Sequence, residues 1–187
     1  MNEGHMKACA SDHWRHAVVY DILPLALDGV DLGDDVIEIG PGPGFTTDVL
    51  MQRTTRLTAI EIDQGLAGSL AERLAGTNVT VFLGDATALD LPADRFTGAA
   101  CFHMLHHVGS AAEQDRAMAE LARVLRPGGV FVAADAVYDE GTAAFHADDT
   151  YNPIPMEDVV SRLEAVGFTD VAVRPYAYGW LCTARAR

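Results

Sequence analysis

Two apolar rhythms alternate along this chain. Compact apolar runs sit at residues 36–39, 57–62, 79–83, 98–102 and 130–134. Between them, apolar positions recur at three- and four-residue spacing: Leu66, Leu70 and Leu74; Ala117, Met118, Leu121, Val124 and Leu125; Met156, Val159, Val160, Leu163 and Val166. Strand-like runs separated by helical stripes predict an α/β domain built on a mainly parallel sheet. Ser11 is placed to cap a first helix carrying Trp14, Val18, Ile22, Leu23 and Ala26. Asp63 opens the next helix and Gly76 closes it, and Ser110 with Glu113 forms a capping box for another. Pro127-Gly128-Gly129 should stop that helix before the fifth strand. Pro155 opens the last helix and Gly167 ends it. Runs at 171–173 and 180–184 read as a closing hairpin. So short a turn makes its strands antiparallel, so the last strand reverses direction.

Composition narrows the class. The chain has 187 residues, 49% apolar and 21% charged, which suits one globular domain with a full core. We expect residues 1–30 to form a helical cap and residues 31–187 the core. The net charge of −14 repels phosphate backbones and anionic membrane surfaces, so neither nucleic acid nor membrane is an expected partner. No apolar run approaches a membrane span, and residues 1–7 lack the order of a secretion signal. Cys9, Cys101 and Cys182 contain no CxxC pair and read as reduced thiols in a cytoplasmic protein.

The chemistry concentrates after the first strand. Val36-Ile37-Glu38-Ile39-Gly40-Pro41-Gly42-Pro43-Gly44 is an apolar run ending in an acid and three glycines two residues apart. Glycines let backbone approach a ligand where a Cβ would collide, and the following helix start turns amides toward it. Glu61 closes the second strand 21 residues beyond Gly40. In a doubly wound sheet those strand ends are neighbours, and an acid there can accept ribose hydroxyl protons. NAD sites share this logic, so loop and acid together leave the cofactor open.

Further segments resolve it. Glu38-Ile39-Gly40-Pro41-Gly42-Pro43-Gly44, Ala59-Ile60-Glu61-Ile62-Asp63, Gly84-Asp85-Ala86, Leu105-His106-His107-Val108, Arg123-Val124-Leu125-Arg126-Pro127-Gly128-Gly129 and Ala165-Val166-Gly167-Phe168 occur in this order. From about residue 36 to 187 the chain resembles the class I S-adenosylmethionine-dependent methyltransferases. The resemblance implies a Rossmann-like methyltransferase fold: a doubly wound, seven-stranded, mostly parallel sheet with its last strand antiparallel. It also implies S-adenosyl-L-methionine as cofactor. Gly40, Gly42 and Gly44 would pass close to its amino-acid tail and ribose, and Glu38 would help hold the tail. Glu61 would take the ribose hydroxyls. Asp85 would accept from the adenine amino group, with the Ala86 amide on a ring nitrogen. Phe102 would line the methionine end, and Ile62 belongs to the same cofactor-binding set.

The segment just past the fourth strand carries His103, His106 and His107, three of the seven histidines. They are the candidate catalytic residues. Each can also be a structural hydrogen-bond partner, and three imidazoles together could hold a divalent metal. The segment is similar to that of quinone-biosynthesis O-methyltransferases, where Cys-x-Glu-Met-Leu-Glu-His-Val carries metal-binding carboxylates. Here His103 and His106 replace both glutamates, and no resident metal is expected. The Asn/Asp-Pro-Pro-Tyr tetrapeptide of enzymes that methylate bases and glutamine is missing. The expected acceptor is therefore a small molecule, methylated on oxygen or nitrogen. Residues 136–153, with Asp139, His146, Asp148, Asp149 and Tyr151, and the first helix around His13 and Trp14 should form a lid over it. A non-catalytic adenosylmethionine-binding module and an NAD(P) oxidoreductase remain the rival readings, and the oligomeric state stays open.

Overall fold

The computed structural model describes residues 2–187; residue 1, which opens the expected cap, lies outside them. The strands are β1 (Asp35–Ile39), β2 (Arg56–Glu61), β3 (Val79–Leu83), β4 (Phe96–Phe102), β5 (Leu125–Asp135), β6 (Phe168–Tyr176) and β7 (Gly179–Ala186). They form one sheet in the order β3-β2-β1-β4-β5-β7-β6. β7 runs antiparallel to both β5 and β6, while the pairings from β3 to β5 are parallel. The expected doubly wound α/β sheet with a reversed last strand is the observed one.

Period-two alternation sends the central strands into two cores. Ile37 and Ile39 of β1 join Ala99, Cys101, Phe131 and Ala133 on one face. That face is covered by Met118, Leu121 and Val124 of α6 (Ala111–Val124) and by Val159 and Leu163 of α8 (Met156–Ala165). Val36, Ala100, Phe102, Val132 and Ala134 face the other way, under Val18, Ile22, Leu23 and Ala26 of the N-terminal helices. All five residues of β1 are buried, so the strand is held from both sides and its two end loops cannot drift.

Three local expectations needed correction. The first helix is not one rod from Ser11. A preceding α1 (Glu3–Cys9) exists, and the rest is α2 (Asp12–His16), a π-helical run over Ala17–Ile22 and α3 (Leu23–Ala26). Pro24 lies in the first turn of α3. It has no N–H to donate and crowds the preceding carbonyls, which a wider π turn accommodates. Second, Leu125 belongs to strand rather than helix. It pairs with Phe96, the register shifts before Gly98 meets Val130, and Pro127-Gly128-Gly129 is absorbed in that irregularity. Third, a short α7 (Glu140–Phe145) stands where only a loop was expected, capped by Asp139 accepting from the Thr142 N–H at 2.9 Å. Two further helices flank the strand ends of interest, α4 (Phe45–Leu50) and α5 (Gln64–Arg73).

Two glycines make opposite tests of this packing. A Cβ on Gly98 of β4 would lie 2.5 Å from the Leu32 carbonyl oxygen and 2.9 Å from its Cα. Gly68, exposed in α5, has nothing within 4 Å of the same position. Gly98→Ala should lose about 1–3 kcal/mol through overpacking, whereas Gly68→Ala should gain about 0.5–1 kcal/mol from helix propensity. Urea unfolding midpoints check both; equal and small effects would contradict this packing.

Candidate functional site

A cleft of about 1380 Å³ opens where the loops leave the carboxyl ends of β1, β2 and β4. This is larger than the roughly 300–1,000 Å³ typical of a site for one small ligand, so two can be accommodated side by side. The glycine loop, Glu61 to Asp63, Gly84 to Ala86, Phe102 and His103 form one part of its wall. α1, α2 and α7, the segment around His106 and the β6–β7 turn form the rest.

The best-defined polar feature is the Glu61 carboxylate, only 6% exposed. The Gly42 N–H donates to Oε2 at 2.9 Å and the Asp63 N–H donates to Oε1 at 3.0 Å. The Gly40 N–H donates to the Ile60 carbonyl at 2.9 Å. Two strand ends and their loops are thus laced together across the β1–β2 gap. Each carboxylate oxygen has used one acceptor site and keeps another toward the cleft. A Cβ on Gly40 would meet the Met104 side chain at 2.3 Å, whereas Gly42 has open space there. Gly44 caps α4 with φ of +90°. It does not line the cleft; a Cβ there would strike Leu70 and Arg73 of α5, so this glycine serves helix packing.

Glu38 also lies behind the cleft wall rather than on it. It is buried and accepts from the hydroxyls of Thr46 and Thr47, the latter at 2.7 Å. The acid therefore ties β1 to the first turn of α4 and sets the loop between them. Asp85 is exposed on the cleft rim, and its Oδ1 accepts from the Thr87 N–H and hydroxyl, both at 2.8 Å. Ile62 is 69% exposed on the same rim, Ala86 is half-buried and Phe102 is buried in the wall.

The histidines divide into two groups. His106 is buried, and its Nδ1 and backbone N–H both meet the carboxylate of Asp135 at the end of β5, the latter at 3.1 Å. Asp135 also accepts from the Ala136 N–H at 2.7 Å. Burial alone would raise its pKa, but the His106 imidazole beside it brings it below the ordinary carboxylate range. His103 has φ of +51°, and its Nε2 meets the Tyr176 hydroxyl at 2.5 Å. Burial pushes its pKa down to about 4. His107 turns away to a second group with His5 of α1 and His146 just after α7. Its pKa is lowered to about 3, chiefly by burial and then by the neighbouring His106 and His5. His5, lowered mainly by burial, is held at Nδ1 by Asp149 at 2.8 Å.

His103, His106 and His107 read as a set in the sequence, but they do not converge as one. His5 and Tyr176 join these groups without any local signal in the sequence. His5 sits in a stretch weighed only as a leader, and Tyr176 belongs to the hairpin by pattern. His146 and Asp149, expected in a lid with the helix around His13 and Trp14, lie just after α7 and beside the start of α1, where the Asn2 side chain donates to the Ala147 carbonyl at 3.0 Å.

Residues 37–133, just over half of the chain, match the family described as a methyltransferase domain. An uncharacterized methyltransferase of Geobacillus kaustophilus is 29% identical over 141 residues, covering 75% of this chain and 65% of that protein. The ribosomal RNA small subunit methyltransferase A of Deinococcus radiodurans is 46% identical over 65 residues, covering 35% of this chain and 22% of its own length. The chain thus spans less than two thirds of the length of these curated relatives. Among solved structures, the N-methyltransferase NodS of Bradyrhizobium japonicum in complex with S-adenosyl-L-homocysteine superposes with a TM-score of 0.70 at 19% identity, covering 94% of this chain and 87% of that one. A likeness at that identity concerns the fold.

Glu38 offers a measurable consequence of this architecture. Burial lifts its carboxyl to about 7, with the Thr46 and Thr47 hydroxyls opposing the lift. In the unfolded chain it titrates at about 4.3. The native state therefore holds a proton between those values that the unfolded chain has lost, and stability from this group falls as pH rises through that window. Glu38→Gln cannot titrate. Its stability relative to wild type should rise by on the order of 2 kcal/mol between pH 5 and 8. Urea unfolding across that range checks this; a pH-independent difference would show an ordinary, ionised Glu38.

Proposed function

This chain belongs to the methyltransferase domain family, and from that membership we propose that it transfers a methyl group from S-adenosyl-L-methionine to a small-molecule acceptor. The observation that carries the reading is the Glu61 carboxylate, fixed by the Gly42 and Asp63 amides with acceptor capacity still directed at the cleft. A rigid acid between two strand ends suits a pair of vicinal ribose hydroxyls. The open face of Gly42 leaves room for the amino-acid tail at the same place.

In this reading Gly40 and Gly42 border the tail, and Gly44 and Glu38 hold their loop in shape from behind. Glu61 accepts from the ribose. Asp85 takes the adenine amino group through the carboxylate oxygen that Thr87 leaves, and Ala86 and Ile62 bound the ring. Phe102 walls the methionine end. The bound cofactor supplies an electrophilic methyl group on a sulfonium centre. The acidic balance of the chain, −14, attracts that cation.

The acceptor half of the cleft suits an oxygen or nitrogen nucleophile. Asp135 engages Nδ1 of His106, which leaves Nε2 as the ring's remaining lone pair for an acceptor proton. Trp14, edge-on to His103 at 5.0 Å, and Tyr176 give that half an aromatic wall. The same acidic balance disfavours a polynucleotide acceptor for this chain. Three free thiols fit a reducing, cytoplasmic setting, and no helix of the described residues is long and apolar enough to cross a membrane.

Glu61→Ala should weaken S-adenosylmethionine binding by about 10- to 150-fold, since hydrogen bonds to a charged group contribute about 1.5–3 kcal/mol. Calorimetric titration of both proteins measures it. Unchanged affinity would remove the ribose role from Glu61. Release of S-adenosylhomocysteine with a panel of phenols, hydroxy acids and amines identifies the acceptor class. A protein that binds the cofactor but releases none with the panel or with cell extract would be a binding module instead.

A further inference from the structure

The lid carries a feature that methyl transfer does not require. His5, His107 and His146 come from α1, the turn after β4 and the end of α7, and their donor atoms lie within 4.8 Å of one another. His5 and His146 are buried to 3% and 5% exposure. The rings are packed closely: His5 to His146 at 4.3 Å between centroids, His5 to His107 at 4.8 Å.

What distinguishes this cluster is where its hydrogen bonds go. Nδ1 of His5 meets the Asp149 carboxylate at 2.8 Å, Nδ1 of His146 meets the Thr142 carbonyl at 2.7 Å and Nδ1 of His107 meets the Thr150 carbonyl at 3.3 Å. In all three rings the acceptor fixes the proton on Nδ1 and leaves Nε2 as the lone-pair nitrogen. Nε2 of His146 is buried with no hydrogen-bond partner. An orphaned buried acceptor is costly, on the order of 1–3 kcal/mol, unless something fills its lone pair. Imidazoles oriented by carboxylate or carbonyl partners at the far nitrogen are the arrangement that metal-ligating histidines use. The neighbouring group of His103, His106 and Asp135 differs. There Nε2 of His103 is taken by Tyr176 and the Asp135 carboxylate by His106, and the nitrogen left, Nε2 of His106, is the one that the proposed transfer uses.

We propose that His5, His107 and His146 form a binding site for one zinc-like divalent ion in the roof of the cleft. Three neutral nitrogen donors without an oxygen ligand favour zinc, cobalt or nickel over magnesium or calcium. Tetrahedral zinc with bonds of about 2.0–2.1 Å needs its nitrogens roughly 3.4 Å apart, so the rings close by about 1.4 Å at most. Three protein ligands leave a fourth position, and all three side chains border the cleft. The ion would pin α1 and α7 to the segment after β4, joining residues 5, 107 and 146. Asp149 would be a positioning residue acting through His5.

The test uses the untagged 187-residue chain, dialysed against a chelator and titrated with Co²⁺, Zn²⁺ and Mg²⁺. One Co²⁺ per chain with the strong visible absorption of a four- or five-coordinate site, displaced by Zn²⁺ and not by Mg²⁺, is expected. His5→Ala and His146→Ala should each lose at least tenfold in affinity. His16→Ala, an exposed histidine outside the cluster, should lose none. Asp149→Asn keeps all three ligands and should weaken binding by about 10–100-fold with the spectrum retained, which settles the matter even where an alanine variant fails to fold. Wild-type protein that binds neither Co²⁺ nor Zn²⁺, a weak octahedral spectrum, or His146→Ala binding as wild type would overturn the site. No methyl donor or acceptor enters these measurements, so their failure leaves the proposed methyl transfer standing.

Discussion

Parallel pairing of β1 with β2 on one side and β4 on the other is the constraint from which the site follows. The chain runs outward from β1 to β3, then returns to the opposite flank of β1. The loops after β1 and β4 therefore leave in opposite directions, and a crevice opens between them. Both faces of the sheet are closed by helices, so the carboxyl edge is where polar side chains and exposed amides can gather. β1 is buried along its whole length. Any loop attached to it inherits that rigidity, which is what a preorganised binding surface needs.

The polar groups at that edge are of two kinds. Glu38 and Glu61 are acids on adjacent strands, Glu61 two positions beyond Glu38's partner Ala59, yet they do different work. Glu38 faces inward, satisfied by two threonine hydroxyls, and fixes the start of α4. Glu61 faces the cleft, fixed by two amides that leave it half-satisfied. Beyond them lies a histidine-rich half, where Asp135 orders one imidazole and Asp149 another. The cleft is thus acidic and rigid at the β1–β2 edge and rich in imidazole and aromatic groups on its other side.

Much of this was legible in the sequence because it rests on local rules. Apolar runs at 36–39 and 98–102 became β1 and the end of β4, the capping signals at Asp63, Ser110 and Pro155 mark observed helix starts, and the reversed hairpin is in place. The glycine loop and the strand-end acid were also within reach as a pattern, since the glycine spacing is local and Glu61 closes an apolar run. Long-range convergence was not legible. His5 meets Asp149 across 144 positions, and no spacing rule connects them. His107 looked like one of a trio with His103 and His106, but a short turn after β4 points adjacent imidazoles to different partners. Gly44 and Glu38 read as cofactor contacts from the motif alone, because sequence cannot tell a glycine needed by a ligand from one needed by Leu70 and Arg73.

The central claim is that the edge between β1 and β2 holds an adenosylmethionine rather than a dinucleotide. Titration calorimetry of S-adenosylmethionine, S-adenosylhomocysteine and NADH into one dialysed sample addresses it directly. Saturable binding of both sulfur compounds at one site per chain, with no heat from NADH, is the predicted result. Binding of NADH with neither sulfur compound would contradict it.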